Sequence, residues 1–259
     1  MLELDGLILD MDGVLWRGME PMPGLVPFFD ALRQRGIRFI LATNNSTRTV
    51  AQYVDKLAGM GMVIRPDQVI TSAYAAADYL LTLAAPGTPV YAVGEEGVTD
   101  ALESRGFRVT AEGARFVVAG LDRHFTYEKM ARAMQLILKG ASYIGTNPDV
   151  TLPTPADPFP GAGAILAGIT AATGVEPRII GKPGALMFQQ AMARLGTRPE
   201  RTAIVGDRLE TDILGGRNAG VRTILVLSGI SQQDDLDGLP LQPDWVLEDI
   251  RALTAALLR

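Results

Sequence analysis

At about 150 residues per domain, 259 residues make one large domain or two modest ones, long enough to bury a core without disulfide or metal staples. There is no Cys and a single His, His124, which excludes thiolate nucleophiles, Cys-ligated zinc, iron–sulfur clusters and disulfides. The 24 basic and 29 acidic residues give a net charge of −5 with no basic stripe, poor footing for nucleic acid, so chemistry falls to carboxylates, Lys, hydroxyls, backbone amides or a hard metal acting on a small molecule.

In chain order, short apolar runs alternate with helical periodicity, the signature of βα units and a parallel sheet. Strand 7–10, helix 26–35, strand 38–42, helix 49–59, strand 68–71 and helix 74–84 come first. Strand 90–93, helix 98–105, strand 116–119, helix 127–139, strand 143–145 and helix 164–173 follow. Helix 185–195, strand 202–205, helix 211–218, strand 223–227, strand 245–247 and helix 249–258 close the chain. Composition shifts at Ala84-Ala85-Pro86-Gly87-Thr88-Pro89 and at Gly174-Val175-Glu176-Pro177, where a middle segment inserted into one α/β domain would join it. The acidic Met1–Asp5 does not read as a signal peptide. The uncharged stretch from Pro158 to Val175 is broken by Gly and Pro, so it reads as a buried loop and helix, not a membrane span, and a cytoplasmic protein is expected.

Four polar clusters each close a predicted strand, where open α/β sheets bind ligands. Asp10 and Asp12, in Asp10-Met11-Asp12-Gly13, are close enough to repel unless a cation sits between them or one keeps a proton. Thr43 and the backbone amides of Asn44-Asn45-Ser46-Thr47 could hold phosphate oxygens, with one of Asn45, Ser46 or Thr47 capping the next helix. Lys182 is one of only four Lys beside 20 Arg, in Gly181-Lys182-Pro183-Gly184, where Pro183 reads as the first position of a helix. Asp207 and Asp212 close the last cluster, Gly206-Asp207-Arg208-Leu209-Glu210-Thr211-Asp212, and could complete a metal site with Asp10.

These ordered motifs resemble those of the haloacid dehalogenase superfamily, in its NagD-like p-nitrophenylphosphatase branch. Asp-Met-Asp-Gly-Val-Leu-Trp-Arg-Gly, Thr-Asn-Asn-Ser-Thr-Arg, Gly-Lys-Pro and Gly-Asp-Arg-Leu-Glu-Thr-Asp-Ile carry the likeness, and so do Gly120-Leu121-Asp122-Arg123 and Thr146-Asn147-Pro148-Asp149 in the insert. The resemblance implies a Rossmannoid parallel-sheet core over residues 1–79 and 177–259 with an inserted α/β cap over 80–176. It implies hydrolysis of a small phosphorylated metabolite through an aspartyl phosphate, with Asp10 as nucleophile and Asp12 as acid and base. Mg²⁺ would be held by Asp10, the Asp12 backbone carbonyl and Asp207, with Asp212 acting through water. Thr43, Asn44 and Lys182 would grip the phosphate, and Asn147 and Asp149 would meet the leaving group. Trp16 and Arg17 would form a flap, Trp245 would join the core, His124 would lie on the surface, and the cap suits a homodimer. Two rivals remain open, namely transfer to a sugar hydroxyl instead of water, and a non-catalytic binding module. The motifs leave the physiological substrate open among phosphoglycolate, nucleotides, sugar phosphates and pyridoxal phosphate.

Overall fold

The computed structural model describes residues 3–152, 157–238, 240 and 242–259, and these fall into two compact units. The first holds the described residues up to Thr43, with Tyr53–Ile70 and Lys182–Arg259. The second holds Asn44–Gln52 and Thr71–Gly181.

The first unit is built on a six-stranded sheet ordered Trp245–Leu247, Arg222–Val226, Thr202–Gly206, Gly6–Leu9, Arg38–Thr43, Val69–Thr71. Leu7, Ile8 and Leu9 are fully buried, as expected of a central parallel strand covered on both faces. Gly6–Leu9 pairs in parallel with Thr202–Gly206 on one side and Arg38–Thr43 on the other. The chain therefore leaves these two neighbouring strands in opposite directions across the sheet, which makes the gap beyond Leu9 and Gly206 the topological switch point. Phe28, Phe29 and Leu32 of helix Leu25–Gln34 pack into the apolar layer, with Phe29 edge-on to Phe39 at 4.8 Å. A short hairpin, Trp16–Arg17 with Glu20–Pro21, follows the first strand.

The second unit holds a five-stranded parallel sheet ordered Arg178–Ile179, Ser142–Gly145, Phe116–Ala119, Pro89–Val93, Arg108–Val109. Helices Tyr127–Leu138 and Ala162–Thr173 cover it through Ala133, Ile137, Leu166 and Ile169. No helix among the described residues is long and apolar enough to cross a membrane.

Several local expectations change. Pro183 does not open its helix, which runs Ala185–Leu195 with Gly184 as N-cap, because the chain needs two more residues to turn out of the Lys182 loop. None of Asn45, Ser46 or Thr47 caps helix Val50–Gly59. Thr49 does so, accepting the Gln52 backbone N–H at 3.2 Å while the Gln52 side chain accepts that of Thr49 at 3.1 Å, a reciprocal capping box. Asn45 instead folds an Asx turn onto Thr47. Trp245 is half-buried because its strand is the sheet edge, and Arg222 lies over its ring. Pro158 and Phe159 are exposed, since an antiparallel ribbon carries Phe159–Pro160 away from the core. His124 is exposed, as expected.

Candidate functional site

Asp10 follows directly on Leu9, and its backbone N–H bonds to Val205 O at 2.8 Å, which seats it at the switch point. Asp207 follows Gly206 at the end of the neighbouring strand. Asp212 comes next through one π turn, Leu209–Ile213, ahead of helix Leu214–Ala219, so the predicted helix start at 211 is a wider turn. Such π turns recur at functional sites because they redirect a side chain without ending a helix. One oxygen from each of Asp10, Asp207 and Asp212 lies within 4.8 Å of the others.

Lys182 is buried among them. Its Nζ donates to Asp10 Oδ1, to Asp212 Oδ1 at 2.7 Å and to Ala42 O at 3.2 Å. Burial disfavours a charged ammonium, yet Asp10 and Asp212 outweigh that cost and hold Lys182 above its ordinary range. Burial also pushes the Asp10 carboxyl well up, helped by Asp212 and Asp207 and opposed by Lys182. Asp207 is pushed up to about 6, first by burial and then by Asp212.

Lys182 faces Asp10 and Asp212, and Arg208 acts on Asp207, so the three carboxyl groups outnumber the cations near them in a buried site. An excess of acid of this kind favours a bound cation, and an all-oxygen donor set suits a hard one such as Mg²⁺. The surroundings are shaped to the acids. A Cβ at Gly13, whose φ of 84° already favours glycine, or at Gly229 would strike the Asp207 carboxylate. The donor set therefore fits a Mg²⁺ ion.

Asp12 is exposed, and its Oδ1 accepts the Trp16 indole N–H at 2.6 Å. Thr43, buried, ends the adjacent strand in the same unit. The structure thus gathers Asp10, Lys182, Asp207 and Asp212 in direct contact or near-contact, with Asp12 and Thr43 at the same strand ends.

Asn44, the next residue, belongs to the second unit and joins Asn147 and Asp149 there. The Asn44 amide donates to Asp149 Oδ2 at 3.1 Å, while the Asn147 amide at 2.7 Å and Ser72 Oγ at 2.6 Å donate to Asn44 O. Asn147 also accepts the Asp149 N–H at 3.1 Å, so an Asx turn and the polar contacts coexist.

Sequence reading missed the loop that supports Asp207. Ile230 N–H donates to Asp207 Oδ2 at 2.8 Å, Ser231 N–H to Asp207 O at 2.9 Å, and Ser228 Oγ to Gly13 O at 2.8 Å. Arg17 clamps this loop by donating to Ser228 O from Nε at 3.0 Å and from Nη2 at 2.5 Å. The available signal was Leu227-Ser228-Gly229, a fifth polar, Gly-containing cluster closing a predicted strand.

Residues 7–108 match the family described as haloacid dehalogenase-like hydrolase, and residues 179–253 match one described as HAD-hydrolase-like. A dihydroxyacetone phosphatase of Corynebacterium glutamicum is 41% identical over 246 residues, covering 95% of this chain and 89% of the relative. The crystal structure of a 4-nitrophenylphosphatase from Thermotoga maritima superposes with a TM-score of 0.94 at 36% identity, covering 98% of each chain. A glycerol phosphate phosphatase of Mycobacterium tuberculosis, solved in complex with magnesium, gives a TM-score of 0.89 at 33% identity, covering 97% of this chain and 76% of that one.

Proposed function

Since the chain belongs to the haloacid dehalogenase-like hydrolases, as a phosphatase of the NagD-like branch, we propose that it hydrolyses small phosphate monoesters with Mg²⁺ through an aspartyl phosphate. The observation that carries this reading is the buried cluster of Asp10, Asp207 and Asp212 beside Lys182, with more carboxyl groups than cations at the switch point.

Asp10, Asp207 and the Asp12 backbone carbonyl would hold the ion, with Asp212 acting through water. Bound Mg²⁺ would neutralise charge on the phosphoryl oxygens. Lys182 fixes Asp10 through Oδ1, leaving its other oxygen to attack phosphorus as the bond to the leaving oxygen breaks. Asp12 delivers its proton to that oxygen. It then takes a proton from the water that attacks the aspartyl phosphate, releasing inorganic phosphate and restoring Asp10. Thr43, Asn44 and Lys182 are assigned to the phosphoryl group. Substrate choice is assigned to the loop of Asn147 and Asp149, which is supported by their hydrogen bonding with Asn44.

The substrate class is a small phosphate monoester of the kinds that the names of the relatives describe, a sugar phosphate, a nucleotide, dihydroxyacetone phosphate or glycerol phosphate, with 4-nitrophenyl phosphate as a test substrate. The test is release of phosphate from 4-nitrophenyl phosphate. It should require added Mg²⁺ and vanish in Asp10→Asn, whereas equal activity in a chelator, or a fully active Asp10→Asn protein, overturns the reading.

A further inference from the structure

We infer that Trp16 is a positioning residue for Asp12, and that Lys56 in turn fixes Trp16. The inference rests on the reading of Asp12 as the group that protonates the leaving oxygen.

The Asp12 side chain is exposed although its neighbours Met11, Val14 and Leu15 are buried, and an exposed carboxylate ordinarily samples several rotamers. Here Oδ1 is tied to the indole N–H of Trp16 at 2.6 Å. With one oxygen held as an acceptor, Oδ2 is the atom left to carry the proton to the substrate, and the carboxyl plane is set by a ring that cannot itself turn.

The ring is immobile for reasons visible in the fold. Trp16 is fully buried, and its strand pairs with Glu20–Pro21 across a two-residue turn in which Gly18 takes φ 58°. Tyr53 and Lys56, three residues apart on one face of helix Val50–Gly59, both cover it. Tyr53 stacks at 6.4 Å between centroids and 21° between planes. The Lys56 ammonium sits 4.0 Å from the ring centroid and donates to Gly18 O at 2.8 Å, gripping both the indole face and the turn of the hairpin. A surface Lys with no role would not need both contacts. Lys56 is also one of four Lys in a chain that otherwise uses Arg.

A proton donor matters most when the leaving group is a poor one. The alkoxide from glycerol phosphate needs protonation as it departs, whereas 4-nitrophenolate departs with little help. The experiment compares kcat/KM, which covers the steps through loss of the leaving group, for these two esters. Asp12→Ala is the reference and should lose far more on the alkyl ester than on the aryl one. Trp16→Phe should show the same selectivity, with a loss at least about tenfold greater on glycerol phosphate.

Because Trp16 is buried, two gentler variants keep the outcome decisive. Replacement of the indole by its benzothiophene isostere removes only the N–H, and Lys56→Met removes the cation and its tie to Gly18. Both should reproduce the selective loss, and Lys56→Arg, which can still cover the ring and reach the carbonyl, should restore it. If Asp12→Ala itself affects both esters equally, the assignment of Asp12 fails. If Asp12→Ala is selective while the isostere and Lys56→Met slow both esters alike, the inference about Trp16 and Lys56 is overturned and the acid/base assignment stands.

Discussion

Both units are built on parallel sheets whose strand order reverses once, and both place acids at the reversal. In the first unit Asp10 and Asp207 follow the two diverging strands, with Asp212 five residues on; Asp10 and Asp212 share one Lys182, and Asp207 has no direct ion pair among the described residues. In the second unit the diverging strands are Pro89–Val93 and Phe116–Ala119, followed by Glu95 and Asp122. Each of those acids has its own cation. Arg123 grips Glu95 with two hydrogen bonds, at 2.7 and 2.6 Å, and holds its carboxyl below the usual range. Lys129 pairs with buried Asp122 at 2.6 Å, while the His124 N–H donates to the other Asp122 oxygen at 2.9 Å. Topology therefore supplies the place for a site, and charge balance decides what the place does. Where each carboxylate has its own cation, the acids pin a loop; where carboxyl groups outnumber the cations, the group calls for a divalent cation.

The largest effects should fall on the unmatched side. Asp10→Asn is expected to lower phosphate release by more than about 10⁴-fold, since a nucleophile cannot be replaced by its neighbours. Asp122→Asn should keep Mg²⁺-dependent release from 4-nitrophenyl phosphate within about tenfold while costing roughly 1–3 kcal/mol of stability, less than a fully buried pair because about a third of the Lys129 side chain is exposed. An Asp122→Asn protein that is stable but inactive would break the comparison.

Asp207→Asn sharpens it, because metal affinity should fall while the stability of the metal-free protein rises. The Mg²⁺ concentration for half-maximal activity should rise at least about tenfold. The metal-free protein should become more stable, by about 1–3 kcal/mol, because a buried carboxylate raised to about 6 from an ordinary 3.8 destabilises the fold once ionised. The sign follows from the folded state binding the proton more tightly than the unfolded one. The penalty is absent below about pH 4, grows to about pH 6 and is complete above it. A divalent cation relieves it, so the rise in Tm on adding saturating Mg²⁺ should be larger near pH 7.5 than near pH 5. A shift that is equal at both pH values would mean that Asp207 does not exchange its proton for the metal.

Much of this contrast was legible in the sequence, for a physical reason. Strand-end acids such as Asp10 and Asp207 stand directly after runs of fully apolar residues, so both their location and their burial could be read from one dimension. The balance of charge could not. Nothing in the spacing says that Lys129 reaches back to Asp122 or that Arg123 turns onto Glu95, since those pairings depend on loop geometry and on contacts 7 and 28 residues apart. The Asp207 cradle was hidden for the same reason, because Ile230 and Ser231 contribute backbone N–H groups, which any residue could supply. Lys182 stood out by rarity; Lys56 shared that rarity but lacked a strand end beside it. Helix boundaries slipped where side chains made the caps, as Thr49 did with Gln52.

The smallest effect tests the matched side most stringently. Glu95 and Arg123 form a two-pronged pair, but the Arg123 side chain is about two-thirds exposed, so solvent screens the attraction. A double-mutant cycle of Glu95→Gln and Arg123→Ala should give a coupling below about 1 kcal/mol in thermal or urea unfolding. Neither single variant should change the Mg²⁺ requirement, because each leaves at most one unmatched charge, in the second unit and outside the Asp10, Asp207 and Asp212 cluster. A markedly larger coupling, or a Glu95→Gln protein with altered Mg²⁺ dependence, would show that the second reversal carries an electrostatic load of its own, and that matching by Arg123 and Lys129 is not what separates the two sheets.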